Sequence, residues 1–282
     1  MGMANIKSEL WASDIIALLE DSLIGAAVGN RNIVKTDQGD TMHIVGAGEV
    51  TTSDYVQGVA ITYSDPTDTD TSFTYNIDKN FAIIAHDKDV KQAAVAWQGL
   101  YASRGAHKLK DAIDESIFAD HASWGLNNFE TGSTDWQVGA DGGQMNRLFA
   151  SVAAQLDTAN AAQQGRYMVL PSIGIQALRL HLGAKATELG DQVSNSGLVG
   201  RFLGFDVFHS NNLTTVSTTV HGMAGVTGDG FAYGQQIDPD DIEAMRDVDQ
   251  FATYIRGRAL AGHKVYRAGI LVDINLNTNL LA

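Results

Sequence analysis

A chain of 282 residues with 44 % hydrophobic residues is too apolar to be disordered and long enough for one large domain or two intertwined ones. It contains no cysteine, which excludes disulfides, thiolate metal sites and thiol nucleophiles. Its formal net charge of −14, with no basic cluster denser than His107-Lys108-Leu109-Lys110, excludes a surface built to grip phosphates tightly.

The N-terminal stretch carries Glu9, Asp14 and Glu20 among its apolar residues and does not read as a secretory signal. No apolar run approaches the roughly 20 residues of a membrane span, so a soluble, cytosolic protein is expected. Residues 8–28 predict an amphipathic helix, with Leu10, Trp11, Ile15, Leu18, Leu19 and Leu23 near helical spacing. Over residues 39–78 the period changes to two. Met42 and Ile44 alternate with polar neighbours, as do Val59, Ile61 and Tyr63, and then Phe73, Tyr75 and Ile77. This predicts a two-armed β excursion, whose arms could reach about 60 Å at about 3.3 Å per residue. A lone hairpin is marginal in water, so the excursion needs a surface to lie on.

Residues 87–124 predict a long helix whose apolar stripe moves from Val90, Ala94, Trp97 and Tyr101 to Leu109, Ile113 and Ile117, with a kink expected near Ser103-Arg104-Gly105. Residues 127–143 are glycine-rich and read as loop, and 145–161 as helix. GRYMVLP at 165–171 predicts a buried strand, and 172–182 a short helix capped by Ser172. Residues 200–208 predict one strand, with Phe202, Leu203, Phe205, Val207 and Phe208 in the core, Gly204 relieving crowding and Ser210-Asn211-Asn212 turning the chain. A Thr-rich strand over 213–223, a GVTGDG corner, a strand GFAYGQQI and an extended stretch over 251–274 follow. Helices and strands mix without βαβ alternation, which predicts an α+β fold.

The sequence offers little chemistry. The eight histidines include no HExxH pair, and each lone His reads as a surface or packed residue rather than a ligand. There is no G-x-S-x-G, and YASRG around Ser103 sits in a predicted helix rather than at a strand-to-helix elbow. GAGEVT at 46–51 leads into strands and reads as a turn, and Asp65, Asp68 and Asp70 lack the closing Glu of a calcium loop. No catalytic, cofactor-binding or metal-binding residues are assigned.

The order of pieces resembles the major capsid proteins of tailed bacteriophages, with the Hong Kong 97 capsid fold. The resemblance rests on VGNR at 28–31, QGDTMHI at 38–44, FAIIAHDKDVKQA at 81–93, QGRYMVLPS at 164–172, LVGRFLGFDVFHSNNL at 198–213 and GHKVYRAGILVDIN at 262–275. It implies an N-terminal arm over 1–34, an extended β loop over 35–80, a peripheral domain with the spine helix over 81–164, an axial domain over 165–250, and closing strands shared between the domains over 251–282. It also implies a structural protein of the virion, not an enzyme, assembled in the host cytoplasm into an icosahedral shell around the genome. The partners implied are further copies in hexamers and pentamers, scaffolding, portal and decoration proteins, and DNA packaged without tight binding. No cofactor and no membrane are expected.

Subunit contacts are expected at Trp11, Val59, Ile61, Tyr63, Phe73, Tyr75 and Ile77, with Arg166, Arg256 and Arg258 as ion-pair partners for the acidic loop. The predicted arm helix begins at Ser8, so no N-terminal scaffolding region is expected. Some members of that family join subunits through a loop lysine; here no Lys lies between Lys35 and Lys79, so a non-covalent shell is expected. A nanocompartment shell, a tail-tube protein and an enzyme of unfamiliar type are the alternatives.

Overall fold

The computed structural model describes residues 24–32, 41–48, 50–92, 97–128, 136–137, 144–183 and 198–277. In chain order the first half holds α1 (Gly25–Val28), β1 (Thr41–Gly46), β2 (Thr69–Thr74), β3 (Ile77–His86), α2 (Asp87–Gln92), α3 (Trp97–Ala119), a 3₁₀ turn (Asp120–Ser123), β4 (Leu126–Asn128), β5 (Trp136–Gln137) and α4 (Met145–Thr158). The second half holds β6 (Arg166–Leu170), α5 (Ser172–Gly183), β7 (Leu198–Phe202), β8 (Phe205–His209), β9 (Thr215–Val216), β10 (Thr219–Val226), β11 (Phe231–Ile237), β12 (Ile242–Arg246), β13 (Ala252–Val265) and β14 (Val272–Asn277). The architecture is α+β. Only the last turn of the expected N-terminal helix, α1, lies among the described residues; Trp11 lies outside them.

Three sheets organise these elements. The largest has eight strands, in the order β4-β14-β10-β6-β8-β7, with β5 also on β14 and β9 on β10. A four-stranded sheet runs β11-β13-β12, with β3 on β13, and β1 and β2 form a separate ladder. The two final strands therefore enter different sheets, β13 the smaller and β14 the larger.

Strand β6 is buried along its whole length, as a strand covered on both faces must be. Its alternate residues feed two cores. Tyr167 and Val169 join the spine-helix residues Leu109, Ile113 and Ile117, together with Met223, Leu271 and Ala259. Met168 and Leu170 join Leu148, Phe149, Val152 and Leu156 of α4, with Phe205, Val207 and Ile274. The spine helix α3 therefore lies where the two larger sheets meet.

Helix α3 is continuous from Trp97 to Ala119, with no break at the expected kink. Gly105 is there to make room. A Cβ at this position would lie 2.3–2.6 Å from three ring carbons of Phe81, on β3. The register partner of Phe81 on β13 is Gly257, where a Cβ would lie 2.6 Å from the same ring.

Two strand expectations are also corrected. Residues 200–208 form a hairpin rather than one strand. Leu203 and Gly204 have φ of 46° and 86°, the left-handed pair of a type I′ turn, and Leu203 is exposed rather than core. Residues 59–63 are not in a strand at all. Their alternating pattern has no sheet behind it to create a buried face.

Candidate functional site

The excursion is a two-stranded stem carrying an irregular tip. In the stem, β1 and β2 pair antiparallel from Thr41↔Thr74 to Gly46↔Thr69. Met42 stands opposite Phe73, as the period-two pattern requires. Beyond the stem, Gly48 N–H donates to the Asp68 carboxylate (3.2 Å), and a turn at Gly58 with φ 88° closes Val59 N–H onto Val56 C=O (3.1 Å). The tip presents Val50, Tyr55, Val56, Val59, Ile61 and Tyr63 to solvent, Tyr63 being 89 % exposed. Asp54, Asp65 and Asp68 are exposed among them.

The root of this arm is rigid. Phe73 is fully buried and meets Tyr75 edge-on at 5.1 Å. Both pack over Gly262 of β13, where a Cβ would meet Thr74 C=O at 2.3 Å. Ile77, also buried, begins β3 and its ladder with β13. The expected contact residues thus divide. Val59, Ile61 and Tyr63 are free apolar surface, whereas Phe73 and Ile77 are core of their own subunit and Tyr75 is half-buried at the root. The sequence pattern was the same for both groups, because alternation does not say which chain supplies the cover.

The expected arginines divide too. Arg258 forms a fork with Asp78 (2.8 and 2.6 Å), Arg256 pairs with Glu243 (3.0 and 2.8 Å), and Arg246 grips Asp87 (2.6 and 2.5 Å). The Arg258 and Arg256 pairs cross the outer face of the β3-β13-β12 sheet, and the Arg246 pair ties the end of β12 to the start of α2. The Arg258 fork holds Asp78 below the ordinary carboxylate range, and the Arg246 fork does the same for Asp87. Arg256 and Arg258 remain about half exposed, each with a partner already at hand. Arg166 is buried and committed to Asp157 (2.6 Å) and to the Ala161 and Ala162 carbonyls, so it is not available to a neighbour's loop.

The Ser210-Asn211-Asn212 corner does more than turn the chain. Ser210 N–H donates to Leu170 C=O, and Asn212 N–H to Ser210 Oγ. The two asparagines then reach outward. Ser172 Oγ donates to Asn211 Oδ1 (2.8 Å) and lies 2.9 Å from His209 Nε2, which ties the start of α5 to the corner. Asn212 Nδ2 donates to Asp111 Oδ1 on the spine helix (2.6 Å), and Lys108 Nζ donates to the other oxygen (2.5 Å). Burial pushes the Asp111 carboxyl up, but the Lys108 and Asn212 hydrogen bonds outweigh it and leave the group below its ordinary value. Asp114, one turn along, is buried and accepts from the Ile24 and Ala26 amides (2.7 and 3.3 Å), anchoring the N-terminal arm to the spine. Neither Asp111 nor Asp114 stands out in the sequence. Each is one acidic residue on an amphipathic helix, and its partner lies 88 to 101 residues away.

No family model matches the chain, and no curated protein does. Solved structures do match over nearly the whole length. A structure from Mycobacterium phage Che8 superposes with a TM-score of 0.79 at 25 % identity, covering 97 % of this chain and 98 % of that one. The capsid structure of the cyanophage P-SCSP1u gives 0.72 at 12 % identity over 99 % and 95 % of the two chains. The capsid of Ralstonia phage GP4 gives 0.68 at 12 % identity over 98 % and 97 %. The chain has the fold of these phage structures, two of them capsids, the Hong Kong 97-like α+β fold that the order of sequence pieces resembles.

Proposed function

We infer that this chain is the major capsid protein of a tailed phage and assembles with copies of itself into the shell of the virion. The observation that carries this reading is the arm. A rigid root holds out a tip with six large apolar side chains in solvent, on a fold shared end to end with phage capsid chains. Monomeric proteins rarely keep such a surface uncovered. The irregular tip of residues 47–68 can extend up to about 35 Å from the stem at about 3.3 Å per residue, enough to lie across a neighbouring subunit.

In this reading the subunits form hexamers and pentamers, and obligate contacts of about 2,000–5,000 Å² hold the shell without catalysis or cofactor. Packaged DNA is retained by confinement, because the acidic chain offers no phosphate-binding stripe. The contact residues are Val59, Ile61 and Tyr63 at the tip, with Arg256 and Arg258 on the sheet face. Scaffolding, portal and decoration proteins are the further partners of such a shell, and its place is the virion.

Negative-stain microscopy of the purified chain tests the assembly. Closed polyhedra are expected. Tubes, or polyhedra filled with a protein cargo, would contradict the reading, and so would a small uniform oligomer. Replacing residues 47–68 with a short Gly-Ser turn should leave a folded, soluble subunit that makes no shells.

A further inference from the structure

Away from the arm and the sheet face, the fold gathers side chains that are far apart in sequence. His121 lies in the 3₁₀ turn that ends the spine helix, His221 on β10 and Asp273 on β14. The two imidazole rings stack with centroids 3.8 Å apart and planes at 13°. His221 Nδ1 lies 3.0 Å from each carboxylate oxygen of Asp273. One donor atom from each of the three residues lies within 4.8 Å of the others.

A fourth group stands beside them. Asn275 is the register partner of His221 across the β10–β14 ladder. It therefore shares a face with Asp273, two residues before it. It is 4 % exposed, and its Oδ1 is buried with no hydrogen-bond partner among the described residues. A buried, unsatisfied amide oxygen is costly and rare. Beside two imidazoles and a buried carboxylate, it is a ready oxygen ligand.

We propose that His121, His221 and Asp273, with the amide oxygen of Asn275, bind a divalent first-row cation, zinc being the best fit. Two imidazole nitrogens, one carboxylate and one amide oxygen make a donor set of intermediate softness, which suits Zn²⁺ better than Ca²⁺ or Mg²⁺. Donors held tetrahedrally by one zinc at about 2.0–2.2 Å are themselves about 3.3–3.6 Å apart. The His221–Asp273 separation of 3.0 Å is slightly shorter, as a direct hydrogen bond is, and widens to this when the ion takes the place of the shared proton. A metal lies in the plane of each imidazole that binds it, so His121 has to close in and tilt out of its stack on His221, which the partly exposed 3₁₀ turn carrying it allows. Met223 and Leu271 are buried nearby on the same face of the sheet, so the ion would sit at the edge of an apolar core. It would clamp the end of the spine helix to the eight-stranded sheet from inside the subunit, at a second point besides the Asp111–Asn212 bond.

The test uses the full chain, stripped with a chelator and then titrated with Zn²⁺ alone. Calorimetry should give one ion per subunit with a micromolar or tighter Kd. At a hundredfold excess over Kd the melting temperature should rise by about 5 °C or more. Co²⁺ in place of Zn²⁺ should give the visible absorption of a low-coordinate nitrogen–oxygen site. His121→Gln alters a partly exposed residue and should leave the metal-free chain folded, while weakening zinc binding by at least about tenfold. Asp273→Asn should abolish binding; if it fails to fold, His121→Gln and the cobalt spectrum decide. Millimolar or absent binding overturns the proposal. So does zinc affinity unchanged in His121→Gln, or a cluster whose stability responds to pH but not to metal.

Discussion

The close fit of Phe81 between two glycines makes Gly105→Ala an informative substitution. In an ordinary helix interior this change stabilises by about 1 kcal/mol, because alanine restricts the unfolded backbone and has the higher helix propensity. Here the new methyl would sit 2.3–2.6 Å from three ring carbons of Phe81, where carbon–carbon contact is comfortable only at about 3.5–4.0 Å. The ring has Gly257 on its other side and belongs to a strand paired with β13 along its whole length, so it has little room to retreat. Overpacking of this kind costs about 1–3 kcal/mol. The expected result is a net loss of up to about 2 kcal/mol, measured by urea unfolding of the unassembled subunit. Phe81→Leu removes the far ring atoms, so Gly105→Ala in that background should recover its ordinary stabilising sign. The coupling energy of the pair, which equals the overpacking cost removed, should be about 1–3 kcal/mol. If Gly105→Ala stabilises the wild-type subunit, or if the two changes add to within about 0.5 kcal/mol, the glycine is not there to admit the ring and the reasoning fails.

Further outcomes follow from the same geometry. Changing Val59, Ile61 and Tyr63 together to Ser should leave subunit stability within about 0.5 kcal/mol, since all three are exposed. It should raise the concentration needed for shell assembly about a thousandfold or more, at about 1.5–3 kcal/mol per covered side chain; assembly at the normal threshold would remove the tip from the interface. Gly262→Ala should damage the arm root more than Gly105→Ala damages the spine, because its obstacle is the Thr74 carbonyl at 2.3 Å, which cannot rotate away. The ranking is read from unfolding midpoints. Asp78, Asp87 and Asp111 are held below the ordinary carboxylate value. A carboxylate with a lowered folded-state pKa adds stability that is complete above its unfolded value of about 3.9 and is lost as pH falls through the folded value. Asp111→Asn should therefore flatten the acid limb of the stability profile below about pH 4, and an unchanged limb would show that the spine–corner bond contributes nothing. Boiling mature particles in SDS should return a single band near 30.1 kDa, because Lys79, in β3, stands at the arm's base rather than along it. A ladder would show covalent joining.

What the sequence reveals depends on how local the cause is. The buried strand at 166–170, helix α4 and the stem of the arm follow from period and composition within a few residues, and they are legible. The order of these pieces carried the fold. Three misreadings share a physical origin. The kink expected at Gly105 assumed that a mid-helix glycine weakens the helix, when the demand for it comes from Phe81, twenty-four positions away in the chain. The core role given to Leu203 missed that Leu-Gly can make a type I′ turn, because leucine is an unusual residue at positive φ. The strand expected at 59–63 treated alternation as proof of a sheet, and an exposed arm has none. The His121, His221 and Asp273 cluster has no signature in sequence at all. Its members are separated by 100 and 52 residues, and only the meeting of the spine's end with β10 and β14 brings them together.

In the proposed shell a subunit without disulfides has to carry force by packing, and residues that look idle in the sequence form the path for it. Contact at the arm's tip is transmitted along the β1–β2 stem to Phe73, which is locked over Gly262 of β13. Strand β13 passes it to β3 through ten paired positions, from Ala252↔His86 to Ala261↔Ile77. Phe81 in the middle of that ladder presses into the spine helix at Gly105. From the spine, Asp111 hands it to Asn212 and so to the corner between β8 and β9, which is tied back to β6 and α5. The links are strand ladders, close steric fits and hydrogen bonds, among them the one to the Asp111 carboxylate, and all resist small displacements. A neighbour's grip on the arm is therefore felt in the eight-stranded sheet of the same subunit. In the proposed shell that path shares load at the arm across the subunit, through a glycine, an asparagine and an aspartate whose partners lie within it.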